Sequence, residues 1–256
     1  TLKRIAEKGP REFYEGETAK LIASDMRANN GLITLEDLKN YKAKERTPIR
    51  GTYRGHEIIS MPPPSSGGIV MLQVLNILEE WDIASMGHNS AAKYHLFTEA
   101  SRRAFADRAE YMADPDFADV PAAGLVSKSY AASRRKGIEP KKASSSREVK
   151  FGEVSISEGQ DTTHYTVVDP AGNVVSNTYT INDLYGSRVT IKGTGILMND
   201  EMDDFAARPG IPNLFGLVQG ERNKVEGGKR PLSSMTPTIV LRKDGSVWFA
   251  VGARGG

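Results

Sequence analysis

The sequence predicts an α+β protein, and three observations carry that expectation. Apolar residues recur at helical spacing through most of the chain up to Met112. From Thr162 onward, β-branched and aromatic residues gather in short runs separated by glycine, proline and aspartate turns. Hydrophobic residues at 39% and charged residues at 26% of 256 positions are the composition of an ordinary globular chain.

Leu2, Ile5 and Ala6, then Phe13, Ala19, Leu21, Ile22 and Met26, predict two or three helices interrupted at Gly9-Pro10 and Gly16. Thr34 followed by Glu36 and Asp37 has the form of a helix N-cap with an acidic first turn. Thr47 to Met61 alternates as a strand pair turning at Arg54-Gly55.

Met61-Pro62-Pro63-Pro64-Ser65-Ser66-Gly67-Gly68 is a stiff and then flexible loop leading into the apolar helix that carries Ile69 to Trp81. Its Ser-Gly end could cradle a phosphate at a helix N-terminus, but neither a P-loop lysine nor a dinucleotide glycine pattern accompanies it. Packing of that helix against a sheet is therefore the expectation. A long helix follows from Ala91 to about Met112, with Tyr94, Leu96, Phe97, Ala100, Ala104 and Phe105 as its apolar face. Arg102, Arg103, Asp107, Arg108 and Glu110 read as a solvated charged face.

Lys136 to Gln160 turns polar, with few residues able to anchor it, and is expected to be an exposed linker suited to an internal processing event. Asp161-Thr162-Thr163-His164-Tyr165-Thr166-Val167-Val168 then opens a β-hairpin that turns at Asp169 to Asn173 and returns along Val174 to Ile181. Gly193 to Asn199 reads as a glycine-punctuated strand and Arg208 to Gly220 as a long loop of the kind that forms lids. Thr238 to Leu241 and Val247 to Val251 are strands.

Several chemistries are excluded or weakened at this level. The chain has no cysteine, so disulfides, thiolate metal sites and cysteine nucleophiles are out, and any nucleophile is an oxygen or a nitrogen. Lys and Arg at 34 against Asp and Glu at 32 leave a charge of +2, too balanced to predict a polyanion partner. The four histidines, His56, His88, His95 and His164, have no metal-ligand spacing. The carboxylates Asp200, Glu201, Asp203 and Asp204 lack the spacing and glycine of a calcium loop. Scattered Ser, His and Asp residues leave a triad open, although no Gly-x-Ser-x-Gly elbow supports one. No apolar run reaches the roughly 20 residues of a membrane span. The mixed-charge start at Thr1 is unlike a secretory signal, so the chain is expected either to be cytosolic or to begin downstream of the natural N-terminus.

Thr162-Thr163-His164-Tyr165, Thr180-Ile181-Asn182, Met202-Asp203-Asp204-Phe205, Pro231-Leu232-Ser233-Ser234-Met235 and Gly255-Gly256 resemble the γ-glutamyltranspeptidases, in order and in spacing. Glu45-Arg46-Thr47-Pro48, Met61 to Gly68, Ala106-Asp107-Arg108 and Asp114-Pro115-Asp116-Phe117 extend the resemblance over essentially the whole chain.

The resemblance implies an N-terminal-nucleophile hydrolase fold, a four-layer αββα sandwich, here incomplete at both ends. It implies a precursor that cuts itself between Asp161 and Thr162, so that residues 1–161 are the C-terminal part of a large subunit and 162–256 the N-terminal part of a small catalytic one. Thr162 is then both nucleophile and, through its freed α-amine with a pKa near 8, its own base. Thr180 orients it. The backbone N–H groups of Gly255 and Gly256 form the oxyanion hole, where one donor is worth roughly 3 kcal/mol of barrier. Asn182, Glu201 and Asp204 hold the substrate α-amino group, and Ser233 and Ser234 its α-carboxylate region.

The implied substrate is a γ-glutamyl amide such as glutathione, the partners are the two subunits of one precursor, and no cofactor or metal is implied. Residence would be periplasmic or extracellular. Phe215 stands where several relatives carry a lid tyrosine, which removes the hydroxyl for a gating hydrogen bond to Asn182. The family's α-carboxylate arginine lies upstream of Thr1 and is not assigned here. A related amidase of the cephalosporin or glutaryl acylase type, or a catalytically silent binding module, are the rival expectations.

Overall fold

The structure is a computed structural model that describes residues 1–145, 148–150 and 162–253. In chain order its elements are α1 (Leu2–Lys8), α2 (Arg11–Tyr14), α3 (Glu17–Ala28), α4 (Leu35–Asn40), β1 (Ile49–Tyr53), β2 (His56–Ser60), α5 (Gly67–Leu78), α6 (Ala91–Tyr111), α7 (Ala122–Leu125) and α8 (Lys128–Arg135). The second half contributes β3 (Thr162–Val168), β4 (Val174–Thr180), β5 (Thr190–Ile191), β6 (Ile196–Leu197), β7 (Thr238–Leu241) and β8 (Val247–Val251), with a 3-10 turn over Glu201–Asp204. Two compact units emerge, residues 1–46 with 181–200 and residues 47–180 with 201–256.

The first unit is built on helices α1 to α4 and the short β5–β6 ladder. Glu12 is buried and accepts hydrogen bonds from the backbone N–H and hydroxyl of Thr18, both at 3.2 Å, while Arg4 lies 3.2 Å from the same carboxylate. A carboxylate placed there satisfies an orphan N–H in the first turn of α3. Helix α3 buries Ala19, Ile22 and Ala23. The predicted cap of α4 forms as a full capping box: the Thr34 hydroxyl accepts from Asp37 N–H at 3.2 Å, and the Asp37 carboxylate accepts from Thr34 N–H at 2.8 Å.

The second unit is organised around α5. Its sheet has the order β1-β2-β7-β8, antiparallel throughout. The β1–β2 turn uses Arg54 and Gly55, both at positive φ (49° and 81°), the geometry of a two-residue hairpin loop whose twist matches its strands. Leu72 of α5 packs onto Ile58 and Val240 of the sheet. On the other side Val74, Ile77 and Leu78 pack with Leu96, Ala100 and Ala104 of α6 and Ala131 of α8. Helix α5 is predominantly apolar and covered on both sides: the sheet contact is the one the sequence predicts, and α6 and α8 add the other. Ile69, Leu72 and Ile77 are each fully buried, worth about 1.5–3 kcal/mol apiece.

Helix α6 spans the expected range, but its charged face is not solvated. Glu99, Arg103, Asp107 and Arg108 are all buried, whereas Tyr94 and Phe97, assigned to the apolar face, are exposed. The reason is α8 and the segment after it, which cover the charged side with matched polar groups. Arg103 donates to the Glu99 carboxylate at 2.8 Å and, through Nε, to the Arg134 carbonyl at 3.0 Å. Asp107 accepts from Gln73 Nε2 at 2.9 Å and pairs with Arg134 at 3.3 Å. Burial pushes the Asp107 carboxyl above its ordinary value, against the opposing pull of Arg134, Tyr130 and Gln73.

The start of the polar linker is also anchored, contrary to expectation. Ser144 donates its hydroxyl to Glu99 and receives a second carboxylate oxygen of Glu99 on its N–H at 3.0 Å, while its carbonyl accepts from Arg102 at 2.6 Å. Residues 146–147 and 151–161, including Asp161, lie outside the described residues. No helix among the described residues is long and apolar enough to cross a membrane.

Candidate active site

The predicted β3–β4 hairpin forms, and its register sets Thr162 opposite Thr180 and Val168 opposite Val174. Asp169 closes its turn, accepting from the N–H of Asn173 at 2.9 Å and from its side-chain amide at 2.7 Å. At the open end of the hairpin the backbone of Thr162 therefore faces that of Thr180.

His164 sets what the hairpin packs against. Its Nδ1 lies 2.9 Å from the Thr178 hydroxyl and its Nε2 3.2 Å from that of Thr166. Gly252, directly after β8, lies against the imidazole so closely that a Cβ there would overlap the ring. The backbone that leads toward Gly255 and Gly256 thus passes the hairpin two residues from Thr162. Gly255 and Gly256 themselves lie outside the described residues.

Four of the five residues expected to clamp the substrate fall into two neighbouring pieces, the Glu201–Asp204 turn and the Ser233-Ser234 strip, and a pair of buried amides joins them. Asn223 donates to the Asp204 carbonyl at 2.7 Å and accepts the Leu232 N–H at 3.2 Å, immediately before Ser233. Gln219, also buried, donates to the same Asp204 carbonyl at 3.0 Å. Leu232 is fully buried among Ile69, Met112 and Leu125 and pins the strip to the core.

The strip is further locked to the loop before α5. Ser233 N–H donates to the Pro64 carbonyl at 3.0 Å, and the Ser233 carbonyl accepts from the N–H and hydroxyl of Ser66 at 2.8 and 2.9 Å. The Ser65 hydroxyl donates to the Met235 carbonyl at 2.6 Å. Gly67 admits this approach: a Cβ would stand 2.7 Å from the Ser234 carbonyl and 2.8 Å from that of Met235. The Ser-Ser-Gly segment therefore serves the serine strip and not a phosphate.

Beneath both pieces lies Arg108, 2% exposed. Its Nε donates to Ser66 Oγ at 2.9 Å and its Nη2 to Ser234 Oγ at 3.4 Å. Burial lowers its pKa to about 10, with the Asp204 carboxylate pulling the other way, so it stays a cation at neutral pH. The end of α6 carries the rest of the frame, since Ala109 O accepts from Gly220 N–H at 3.3 Å and Asp114 accepts from Arg230 N–H at 2.9 Å.

Asp203 is tied to the Arg208 to Gly220 loop. Its carboxylate accepts from Leu214 N–H at 2.9 Å, and Asn213 Oδ1 accepts from Phe215 and Leu217 N–H at 3.1 and 3.0 Å. The Arg208 to Gly220 loop is thus folded on its own asparagine, with Ile211 and Leu214 exposed. Asn182 lies in the first unit at a positive φ of 75°, a left-handed position that asparagine tolerates, and donates to the Asp200 carbonyl at 3.3 Å. Among the described residues no three His, Asp or Glu side chains are grouped to hold a metal ion.

Residues 1–256 match, from end to end, the family described as gamma-glutamyltranspeptidase. The chain belongs to that family. It is 52% identical over its whole length to the glutathione hydrolase proenzyme of Escherichia coli, spanning 44% of that protein. It is also 46% identical to the acylase ACY 1 proenzyme of a Pseudomonas strain, spanning 43% of it. Among solved structures, a cephalosporin acylase from Bacillus halodurans superimposes with a TM-score of 0.76 over 96% of this chain and 41% of its own, at 28% identity. The fold is accordingly that of the N-terminal-nucleophile hydrolases, and the chain spans less than half the length of the relatives it matches. Arg108, Ser66, Gln219 and Asn223 are the residues of this frame that sequence reasoning left out. The sequence signal that pointed to Arg108 was its place in the Ala106-Asp107-Arg108 motif.

Proposed function

We propose that the protein containing this chain is a γ-glutamyltransferase and glutathione hydrolase whose precursor cuts itself between Asp161 and Thr162. The observation that carries this reading is the register of the β3–β4 hairpin, which sets Thr162 opposite Thr180 at an open strand end. The two compact units each contain residues from both sides of position 162, so the pieces left by such a cut would stay associated.

In the mature enzyme the Thr162 hydroxyl attacks the γ-carbonyl carbon of the substrate while its α-amine takes the hydroxyl proton. The tetrahedral oxyanion accepts hydrogen bonds from the N–H groups of Gly255 and Gly256. Collapse expels the amine, which leaves with the proton held on the Thr162 α-amine, and a γ-glutamyl ester remains on Thr162. Water or the amine of an acceptor amino acid then attacks that ester by the same steps in reverse. Thr180 orients the nucleophile. Glu201 and Asp204, with Asn182, receive the substrate α-ammonium, and Ser233 and Ser234 receive its α-carboxylate. The chemistry needs no cofactor, and export to the periplasm or the exterior fits a glutathione-degrading role.

The second reading, an amidase acting on acyl groups without an α-amine, is favoured by the 46% identity to an acylase proenzyme. The acidic Glu201–Asp204 turn supports the first, since carboxylates suit an ammonium and repel a dicarboxylic acyl group. The test is turnover by the full-length protein of γ-glutamyl against glutaryl p-nitroanilide. The first reading expects γ-glutamyl release, lost along with chain cleavage in Thr162→Ala. Preference for the glutaryl substrate would overturn it.

A further inference from the structure

We infer that Arg108 is the positioning residue of the α-carboxylate subsite: it holds the Ser234 hydroxyl, and through Ser66 the Ser233 backbone, in the orientation that receives the substrate's carboxylate. The inference rests on the reading of Ser233 and Ser234 as that subsite.

Arg108 is 2% exposed, in a helix whose neighbouring buried charges all have a partner that accounts for them. Arg103 pairs with Glu99 at 2.8 Å, and Arg134 pairs with Asp107 at 3.3 Å. Arg108 is different. The acceptors at its Nε and Nη2 are hydroxyls, Ser66 at 2.9 Å and Ser234 at 3.4 Å, and the Asp204 carboxylate reaches it through space. A guanidinium taken out of water and given neutral acceptors carries a large desolvation cost, which a partly neutralising anion would offset.

The two serines explain where that anion belongs. A serine hydroxyl accepting from an arginine has its own proton directed elsewhere. Ser66 spends its proton on the Ser233 carbonyl at 2.9 Å. Ser234, half-buried, has its oxygen turned toward Arg108, which leaves its O–H to donate to a ligand oxygen. The cation behind that hydroxyl raises its strength as a donor and the local potential for a carboxylate.

The test uses the full-length protein with γ-glutamyl p-nitroanilide and 4-aminobutyryl p-nitroanilide, which differ only in the α-carboxylate. For Arg108→Met the KM for the γ-glutamyl substrate is expected to rise about tenfold or more with kcat changed by less than about threefold, while kcat/KM for the 4-aminobutyryl substrate stays within about twofold. Arg108→Lys, which keeps the charge without the fork, is expected to recover part of the loss. If Arg108→Met does not accumulate, Ser66→Ala reads the same discrimination at about threefold, because it removes the acceptor that fixes Nε. In a Ser234→Ala background the Arg108→Lys penalty is expected to shrink, the non-additivity of residues acting as one unit. Equal losses on both substrates would assign Arg108 a merely structural role and overturn the inference, as would an unchanged KM. Failure of the underlying reading is visible separately, in the unmutated protein, as turnover confined to glutaryl p-nitroanilide.

Discussion

Replacing Asn223 by alanine removes three hydrogen bonds, and the structure determines what each loss costs. The Asp204 carbonyl keeps a donor, because Gln219 Nε2 remains 3.0 Å away. The Leu232 N–H loses the acceptor at 3.2 Å, and Gln219 Oε1 loses the Asn223 amide that it accepts from. Gln219 is 3% exposed and Leu232 0%, so both orphaned groups lie away from water. At about 1–3 kcal/mol for each buried unsatisfied group, the expected destabilisation is about 2–6 kcal/mol, large against the 5–15 kcal/mol of a typical domain. The assay is urea unfolding of the uncleaved Thr162→Ala precursor with and without Asn223→Ala, where a loss of that size moves the midpoint by about 1–3 M. Amide exchange at Leu232 provides the local check, because protection there is expected to fall before the rest of the core opens. A loss below about 1 kcal/mol with Leu232 still protected would refute the claim that Asn223 joins the Asp204 turn to the serine strip.

Two further outcomes follow from the same geometry. Gly252→Ala drives a Cβ into the His164 ring, an overpacking worth about 1–3 kcal/mol, and is expected to slow chain cleavage before Thr162 as followed by gel electrophoresis; cleavage at the normal rate would contradict the proposed path of β8. For Glu99, burial raises the carboxyl's pKa, but hydrogen bonds from Ser144 and Arg103 and the Arg103 charge outweigh it, leaving the pKa below its ordinary value. That stability is fully present above the unfolded value near 4.3 and is lost as pH falls through the folded one, so the wild type is expected to lose more stability than Glu99→Gln below about pH 4. Parallel pH profiles of the two proteins would count against a buried, ionised Glu99.

The sequence made the local structure legible because each element is encoded within a few residues of itself. Thr34 and Asp37 form a capping box by their spacing alone, Arg54-Gly55 makes a turn because both take positive φ, and β3 and β4 find their register through the Asp169 to Asn173 turn. What the sequence concealed is long-range polar pairing, which has no period. Glu99 and Arg103 sit at the i,i+4 spacing of a common surface ion pair, and only α8 and Ser144 make that pair internal. The lock between Ser66 and Ser233 joins residues 167 positions apart, so nothing near either one announces it. The expected nucleophile and clamp come from likeness to a family, whereas the contacts of Arg108, Gln219 and Asn223 needed the fold to be seen.

The central claim is that a threonine becomes an N-terminus. Intact-mass and N-terminal analysis of the purified full-length protein measures it directly. The account predicts two chains, the smaller beginning at Thr162, with γ-glutamyl p-nitroanilide turnover appearing as that chain appears. Turnover by an uncut chain, or a small chain beginning at any other residue, would contradict it.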